Sequence, residues 1–323
     1  MRWSVAGHGD VVARRVLPAL RAAGQEPVFL WGRDAGRAAA AARRWGVGRS
    51  GSDPRELLRG TDAVYVATTV DRHVPLAAMA SAAGLPVLVE KPLAGALRPG
   101  GAALATGRGR VGVAYYRRLA PAVREVRREL AGWRPERVEV RFRSAFAPGP
   151  GHPMRWRTER AVAGGGVLAD AGSHRLDLLL ALFGPPAEVR ARLGGHFPRG
   201  AERTADLELV WADGPRAHCA AAWGDGPPRD LFALYGGGRS LVLDPLDAGE
   251  LVIHEPGGGV RRRVCPPDAN PHLPLVADFV AAVATGRPPV CPVAEAVLVD
   301  DVLVAAERSD ALGGAPVRPW PPR

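Results

Sequence analysis

The chain has 323 residues, 47% of them hydrophobic, which suffices for about two domains with buried cores and argues against a disordered protein. Its formal net charge is +10, but the arginines are spread along the whole chain and no RNA-binding or zinc-finger motif is present, so no nucleic-acid partner is expected. The sequence shows neither a signal-peptide pattern nor an apolar run of about 20 residues, so we expect a cytoplasmic protein with no membrane partner.

The first third of the sequence alternates apolar runs with helical patterns. The runs WSVAG, PVFLWG, DAVYVATT, PVLVEKP and RVGVAYY predict five strands, and the segments between them predict helices, the second with Asp34 as its N-cap. Strand–helix alternation with continuous apolar strands is typical of a parallel sheet covered on both faces. Residues 1–116 are therefore predicted to form an α/β, Rossmann-type doubly wound domain that binds a dinucleotide.

From residue 117 the pattern changes to that of an α+β domain. A helix, PAVREVRREL, leads to the alternating run ERVEVRFRSAF, and a second helix, GVLADAGSHRLDLLLALFG, follows a triple glycine. Seven further strand candidates are separated by turn residues, and helices over about 272–286 and 292–312 close the chain. Such runs of strands predict an antiparallel sheet, so residues 117–323 are predicted to form a second domain.

The stretch VAGHGDVV places Gly7 and Gly9 directly after the first predicted strand and at the start of a helix. Gly7 permits a tight turn, and Gly9 lets backbone N–H groups and the helix N-terminus approach a pyrophosphate. The third position of the G-x-G-x-x-G pattern is Val12 rather than Gly or Ala, which departs from the usual close contact of helix and strand. An ordinary strand–helix turn stays open as an alternative, but the surrounding elements favour a dinucleotide site.

The second predicted strand ends with glycine, Gly32, where an NAD site usually carries an acidic residue for the ribose hydroxyls. A carboxylate there would repel a 2′-phosphate, whereas glycine followed by arginine would accommodate one. We therefore predict NADP in preference to NAD, with Arg33 on the 2′-phosphate and Arg37 as a second contact. The alternative is that Asp34 takes the ribose role and Arg33 is one of many surface arginines.

The segment AGGGVLADAGSHRLDLL carries Asp170 and His174, four residues apart and so on one face of a helix. A carboxylate, a histidine and a lysine make a workable proton-transfer set, because His and Lys can both reach a substrate hydroxyl and the Asp can orient the His. Other interpretations stay open. Asp170 could cap a helix, His174 could be a core residue, and Asp177 could form a salt bridge in the neighbourhood of Arg175. Asp170, His174 and His152 could also hold a metal.

Lys91, in the stretch PVLVEKPLAG, supplies the lysine of this set. It is the only lysine among the 43 Lys and Arg residues of the chain. A surface charge could have been arginine here as it is everywhere else, and the two residues differ where a compact ammonium with an adjustable pKa is needed. The composition therefore singles out Lys91 as a functional candidate.

These motifs occur in one order: the Gly7/Gly9 turn, ATTVDRH, VEKP, GVAYYRRLAP, WR and GGGVLADAGSHRLDLL. Together they resemble the Gfo/Idh/MocA oxidoreductase family, named for glucose–fructose oxidoreductase and inositol dehydrogenase. The tail from LPLVADF to ALGGAPV resembles the C-terminal helices of that family, so the resemblance runs essentially from end to end. It implies a nucleotide-binding domain followed by a substrate-binding domain with an open-faced antiparallel sheet.

The resemblance also implies roles for individual residues. Lys91, Asp170 and His174 become the catalytic residues, with His174 as acid or base on the reacting oxygen and Lys91 stabilising alkoxide charge or joining the proton relay. Asp170, His174 and Tyr116 are implied as substrate contacts, although packing at the domain junction is an equal alternative for Tyr116. The implied cofactor contacts are Thr68, His73, Glu90, Lys91, Trp156 and Arg157.

The implied activity is hydride transfer between a nicotinamide cofactor and a keto or hydroxyl carbon of a sugar, a cyclitol or a related polyol. We expect a small polyhydroxylated substrate, no metal, and a homo-oligomer by the habit of the family. Two alternatives stay open: an NAD-assisted glycosidase on the same fold, and a non-catalytic nucleotide-binding regulator. Intact Lys91, Asp170 and His174 argue against the regulator.

Overall fold

The computed structural model of the chain describes residues 1–97, 104 and 110–320. Within these ranges the chain divides into two compact units. The first contains Met1–Ala94, the described residues up to Tyr116, and Asp268–Val297; the second contains Gly95–Leu97, Arg117–Pro267 and the described residues from Leu298 onwards. The predicted domains, 1–116 and 117–323, therefore differ from these units, because residues 268–297 return to the first unit and residues 95–97 join the second.

Within the described residues the first unit contains a six-stranded parallel sheet in the order β3-β2-β1-β4-β5-β6. Its strands are β1 (Arg2–Ala6), β2 (Glu26–Trp31), β3 (Arg49–Gly51), β4 (Ala63–Val66), β5 (Val87–Val89) and β6 (Val111–Val113). The predicted parallel Rossmann-type sheet is thus confirmed. The short edge strand β3 was not predicted, because its three residues contain no apolar run.

Helices lie between and after the strands of this unit, and the first begins with a π-helical turn, Val12–Val16. The α-helices of the described chain are α1 (Leu17–Ala22), α2 (Ala35–Trp45), α3 (His73–Ala82), α4 (Pro121–Leu130), α5 (Arg160–Ala163), α6 (Ser173–Phe183), α7 (His272–Thr285) and α8 (Val293–Ala311). The N-cap role predicted for Asp34 is confirmed, because its Oδ1 accepts a hydrogen bond from the backbone N–H of Arg37 at 2.8 Å.

Helix α7 returns to the first unit because its apolar face covers the first sheet. Leu275 and Phe279 are buried, and the Phe279 ring centre lies 5.9 Å from that of Trp3 on β1. After the helix, the carbonyl of Cys291 accepts a hydrogen bond from the backbone N–H of Val113 at 3.0 Å, which extends the edge of the sheet at β6. Apolar periodicity predicts a helix here but does not indicate which sheet the helix covers.

Within the described residues the second unit contains an eight-stranded sheet in the order β14-β13-β12-β11-β7-β10-β9-β8. Its strands are β7 (Arg137–Ser144), β8 (Glu188–Gly194), β9 (Thr204–Val210), β10 (Arg216–Trp223), β11 (Arg229–Gly236), β12 (Arg239–Leu243), β13 (Glu250–His254) and β14 (Val260–Val264). Neighbours run antiparallel except β7 and β10, which are parallel. The predicted α+β architecture is confirmed.

Helix α6 lies on one face of this second sheet. The Arg175 guanidinium stands over the Phe142 ring of β7, 4.4 Å from its centre, and pairs with Asp230 at 2.5 Å. The opposite face carries paired charges, such as Arg141 with Glu139 at 2.5 Å. Such exposed pairs keep much of the arginine-rich surface locally neutralised, although each one contributes little to stability.

A buried ion pair ties α6 to the segment before α4. Arg118 donates from Nε to both carboxylate oxygens of Asp177 at 3.0 Å and from Nη2 to Oδ1 at 2.7 Å. Only 4% of the Arg118 side chain and none of the Asp177 side chain is exposed. The salt-bridge interpretation of Asp177 is therefore confirmed, but its partner is Arg118 from a distant segment, and Arg175 pairs with Asp230.

Replacing Asp177 with asparagine is expected to lower the free energy of unfolding by about 3 kcal/mol, because the guanidinium stays buried while its counter-charge is removed. Urea unfolding followed by circular dichroism measures the change. Glu188→Gln is the control: it breaks the exposed pair with Arg190 and should cost less than about 1 kcal/mol. Equal losses in the two variants would contradict the prediction.

Candidate active-site residues

The predicted dinucleotide turn follows β1 in the first unit. Gly7 has a φ of +115°, and a Cβ there would lie 2.2 Å from the carbonyl oxygen of Ala67, so this position requires glycine. A Cβ on Gly9 would meet no described atom within 4 Å, which leaves the space that a phosphate group would need. Val12, at the third position of the G-x-G-x-x-G pattern, is fully buried. The helix begins there with a π-helical turn, which is wider than an α-helical turn.

The end of β2 carries the residues predicted to select the cofactor. Arg33 and Arg37 are exposed, and neither forms a salt bridge with a described residue. Asp34 uses Oδ1 to cap α2. A Cβ on Gly32 would lie 2.5 Å from the ring of His8, the residue between the two glycines of the turn. The structure therefore places His8 beside the residues at the end of β2 that were predicted to select the cofactor.

Lys91 follows β5, and its peptide bond to Pro92 is cis. The preceding residue, Glu90, is buried, and its Oε1 accepts hydrogen bonds from the Tyr65 hydroxyl and from Nε2 of His272, each at 3.0 Å. Glu90 was predicted as a cofactor contact. In the structure one oxygen of its carboxylate is held by two protein groups, and the cofactor contact stays a prediction.

The protonation state of Glu90 follows from this environment. Burial, the largest single influence, would raise the pKa of Glu90, but the hydrogen bond and charge of His272 and the charge of Lys91 outweigh it and leave the pKa below its ordinary value. Burial and then the Glu90 charge raise the pKa of Tyr65 well above its ordinary value. Glu90 is therefore an ionised carboxylate at neutral pH, directly before Lys91 in the chain.

Replacing Glu90 with glutamine is expected to lower the free energy of unfolding at pH 7 by about 1 to 3 kcal/mol, since a charge-assisted contact is lost in a buried place. Because the pKa of Glu90 is lowered in the folded protein, its contribution is present above the unfolded pKa of about 4.3 and is lost as the pH falls through the folded pKa. Unfolding measured from pH 7 to pH 3 should show the difference between wild type and variant shrinking. A constant difference would contradict this linkage.

His73 is buried, and both of its ring nitrogens face backbone carbonyls. Nδ1 lies 2.9 Å from the oxygen of Pro92 and Nε2 lies 3.2 Å from the oxygen of Thr68. Burial, as the largest influence, lowers the pKa of His73, although the contact with Pro92 opposes the shift. His73 therefore ties the segment after β4 to the segment after β5. Contacts of Thr68 and His73 with a cofactor stay predictions.

In the second unit, Asp170 lies in a π-helical turn, Leu168–Gly172, and His174 follows in the first turn of α6. The turn that carries Asp170 is therefore wider than the α-helix expected from the four-residue spacing. Oδ2 of Asp170 accepts a hydrogen bond from Nη1 of Arg157 at 2.9 Å, and the Arg157 guanidinium lies 5.6 Å from the centre of the Trp156 ring. The structure thus brings Trp156, Arg157 and Asp170 together, with His174 one turn further on.

The triple glycine before this turn allows a close approach of the protein backbone. A Cβ on Gly166 would lie 2.0 Å from the carbonyl oxygen of Glu202. The buried Glu202 carboxylate accepts hydrogen bonds from the backbone N–H groups of Gly166 at 2.6 Å and of Leu168 at 2.9 Å. Burial raises the pKa of Glu202 as the largest influence, against the effect of these bonds. Glu202 therefore holds the start of the segment that carries Asp170.

Tyr116 packs on His272, the histidine that donates a hydrogen bond to Glu90. Its ring centre lies 5.2 Å from that of His272, with 36° between the ring planes. This contact supports the packing interpretation of Tyr116, and its contact with substrate stays a prediction.

Three residues of these sites were not found from the sequence. The sequence could have indicated His8, because it stands between the two glycines of the dinucleotide turn. No such indication exists for His272, because its partner Glu90 lies 182 positions away in the chain. Glu202 likewise acts through backbone groups in a distant segment, which composition and spacing do not indicate.

A cavity of about 360 Å³ lies on the second sheet and contains none of the predicted site residues. Its lining includes four arginines, Arg141, Arg143, Arg192 and Arg229, together with Asp206 and several small or apolar residues. Among residues 1–97, 104 and 110–320, no group of three or more His, Cys, Asp or Glu side chains could hold a metal ion. No helix in the same ranges is both long enough and apolar enough to cross a membrane.

Proteins of known activity resemble parts of this chain. A 1,5-anhydro-D-fructose reductase of Ensifer adhaerens is 36% identical over 198 residues, 59% of this chain and 59% of that protein. A levoglucosan dehydrogenase of Pseudarthrobacter phenanthrenivorans is 31% identical over 170 residues, 50% of this chain and 43% of that protein. The chain therefore matches about half of the length of these relatives.

Solved structures resemble the whole chain. An oxidoreductase domain protein from Kribbella flavida has a TM-score of 0.86 at 25% identity, with 99% of both chains covered. A levoglucosan dehydrogenase in complex with NADH has a TM-score of 0.88 at 22% identity, with 98% of both chains covered, which shows a shared fold.

Two family matches cover more than two thirds of the sequence. Residues 1–107 match the oxidoreductase family with an NAD-binding Rossmann fold, and residues 122–242 match the GFO/IDH/MocA C-terminal domain. Both carry the same family name, and the order of the two domains agrees with the two units of the fold. The chain belongs to the GFO/IDH/MocA family of oxidoreductases.

Proposed function

We propose that this protein transfers a hydride between a nicotinamide cofactor, NADP in preference to NAD, and a keto or hydroxyl carbon of a sugar, a cyclitol or a related polyol. Family membership supports the reaction class. The names of the relatives support the substrate class, because 1,5-anhydro-D-fructose, levoglucosan and D-apiose are all polyhydroxylated. Cytoplasmic location and a homo-oligomeric state stay predictions.

The proposed cofactor preference rests on the residues that follow β2. Gly32 has no side chain to repel a 2′-phosphate, and the exposed guanidinium groups of Arg33 and Arg37 are available to pair with one. The alternative interpretation assigns the ribose to Asp34, one of whose two carboxylate oxygens, Oδ1, caps α2. Two guanidinium groups bind a charged phosphate more strongly than neutral ribose hydroxyls, because their hydrogen bonds to phosphate are charge-assisted on both sides.

The open space at Gly9 and the start of the helix after it fit a pyrophosphate, because backbone N–H groups at a helix start attract anions. Bound nicotinamide supplies the hydride donor or acceptor. His174 exchanges the proton of the reacting oxygen, and Lys91 stabilises the negative charge that develops on it. Asp170, which accepts a hydrogen bond from Arg157, orients the imidazole of His174.

Titration of the purified protein with NADPH and with NADH, followed by nicotinamide fluorescence, tests the cofactor preference. We expect NADPH to bind about tenfold or more tightly, and Arg33→Ser to remove most of the difference, since a charge-assisted contact is lost. Arg44→Ser, at an exposed arginine near the far end of α2, is the control and should leave both affinities unchanged. Equal affinities in the wild type would contradict the preference.

A screen of sugars and cyclitols, read from nicotinamide absorbance at 340 nm, then tests the reaction. Substrate-dependent oxidation of NADPH or reduction of NADP is the expected result. Sugar release from glycosides with no net change in absorbance would favour a glycosidase instead, and cofactor binding with neither reaction would favour a regulator.

A further inference from the structure

His8 stands against Gly32 at the end of β2. A Cβ on Gly32 would lie 2.5 Å from Cδ2 and 2.8 Å from Nε2 of the His8 ring, and the next contact, with Cβ of Ala38, would be 3.2 Å. Gly32 does not have a positive φ, so its backbone conformation suits other residues. The ring of His8 is therefore the main obstacle to a side chain at position 32.

His8 also lies near the two positively charged arginines at this corner of the sheet, Arg33 and Arg37. Its pKa is lowered, first by burial and then by the charges of Arg37 and Arg33, while a contact with its own backbone and the charge of Asp34 oppose the shift. The two guanidinium groups are thus near enough to act on the imidazole. A dianionic phosphate placed beside them would compensate the charges of both guanidinium groups and would favour protonation of the His8 ring.

We propose that His8 is a specificity-determining residue of the cofactor site. Its ring occupies the space that a ribose-binding carboxylate at position 32 would enter, and its imidazole would contact a 2′-phosphate bound by Arg33 and Arg37. This proposal rests on the NADP preference proposed above. It adds that the preference depends on a residue of the dinucleotide turn as well as on the end of the second strand.

The proposal has a consequence for changing the cofactor. An aspartate at position 32 would have to displace the His8 ring before its carboxylate could reach the ribose hydroxyls. Gly32→Asp alone therefore weakens NADPH binding without improving NADH binding. Removing the ring as well, in the double variant His8→Ala/Gly32→Asp, frees the space for the carboxylate.

The test uses the full chain and the two reduced cofactors, titrated by fluorescence without any substrate. His8→Ala is expected to weaken NADPH binding about tenfold and to leave NADH binding within about twofold, as a charged hydrogen bond to phosphate is lost. The double variant is expected to bind NADH about tenfold more tightly than Gly32→Asp does. The proposal is overturned if Gly32→Asp alone binds NADH as tightly as the double variant, or if His8→Ala weakens both cofactors equally.

Two further measurements keep the outcome clear. If Gly32→Asp does not fold, Gly32→Ala replaces it: its Tm should fall below that of the wild type and recover when His8→Ala is added, and no recovery would overturn the steric part of the proposal. Equal binding of NADPH and NADH by the wild type would defeat the proposed cofactor preference. The gain in NADH binding between single and double Gly32→Asp variants would still decide the role of the His8 ring.

Discussion

Lys91→Arg is expected to lower kcat by about 100-fold or more while leaving the affinity for the nicotinamide cofactor within a few-fold. The positive charge is kept, so a role in general electrostatics would survive the exchange. A planar guanidinium has a different size and donor geometry from an ammonium, and its pKa is too high for proton exchange near neutral pH. A residue that stabilises charge on the reacting oxygen, or passes a proton to it, should therefore fail as arginine.

Turnover of the best substrate from the screen, together with the cofactor dissociation constant, measures this effect. The chain offers a matched control in the reverse direction: Arg44→Lys introduces a second lysine at an exposed place and should change neither quantity. Full turnover by Lys91→Arg would remove Lys91 from the mechanism, and the lone lysine would have no functional explanation.

His174→Gln is expected to lower kcat by about 100- to 10,000-fold, the range typical for loss of a general acid or base. Glutamine retains a polar side chain but has no titratable nitrogen, so one limb of the pH dependence of kcat should also disappear. A purely structural histidine would give a destabilised enzyme whose remaining activity kept the wild-type pH profile. Comparing the two profiles therefore separates catalysis from folding.

Combining the two substitutions tests whether they serve one reaction. Residues that act on the same step are strongly non-additive, since the second loss removes little once the first has disabled the step. The double variant Lys91→Arg/His174→Gln should therefore be only slightly slower than the slower single variant. A double variant slower by the product of both single effects would show that the residues act independently.

The strands and most helices were predictable because their apolar runs are long and regularly bounded. The Asp34 cap was predictable from one residue and its position. The π-helical turns at Val12–Val16 and Leu168–Gly172 were not, because apolar spacing does not distinguish a widened turn from an α-helical one. The return of α7 to the first sheet likewise depends on the contact between Phe279 and Trp3, which no local pattern reveals.

Some residues of the candidate sites were likewise predictable from local sequence, whereas their contacts with distant segments were not. Gly7 could be predicted because its chemistry is local: the backbone there needs a positive φ. Lys91 was found from composition and motif, and its catalytic role stays a prediction. The triple glycine was predicted as a place of close backbone approach, and the approach of Glu202 confirms it, whereas the cofactor contact of Glu90 stays a prediction. The partners of these positions in the structure, Glu202 and His272, come from distant segments. Sequence reasoning identified the residues and could not identify what they touch.

The contact of His272 with Glu90 also bears on how the protein is made. When residue 116 has left the ribosome, the six strands described for the first sheet have been synthesised, but α7 has not. The whole of Arg117–Pro267 emerges next, and only then can α7 cover Trp3 and His272 reach the buried carboxylate. Completion of the nucleotide-binding unit is therefore delayed until most of the chain exists, and a fragment that ends at Tyr116 would lack part of its own core.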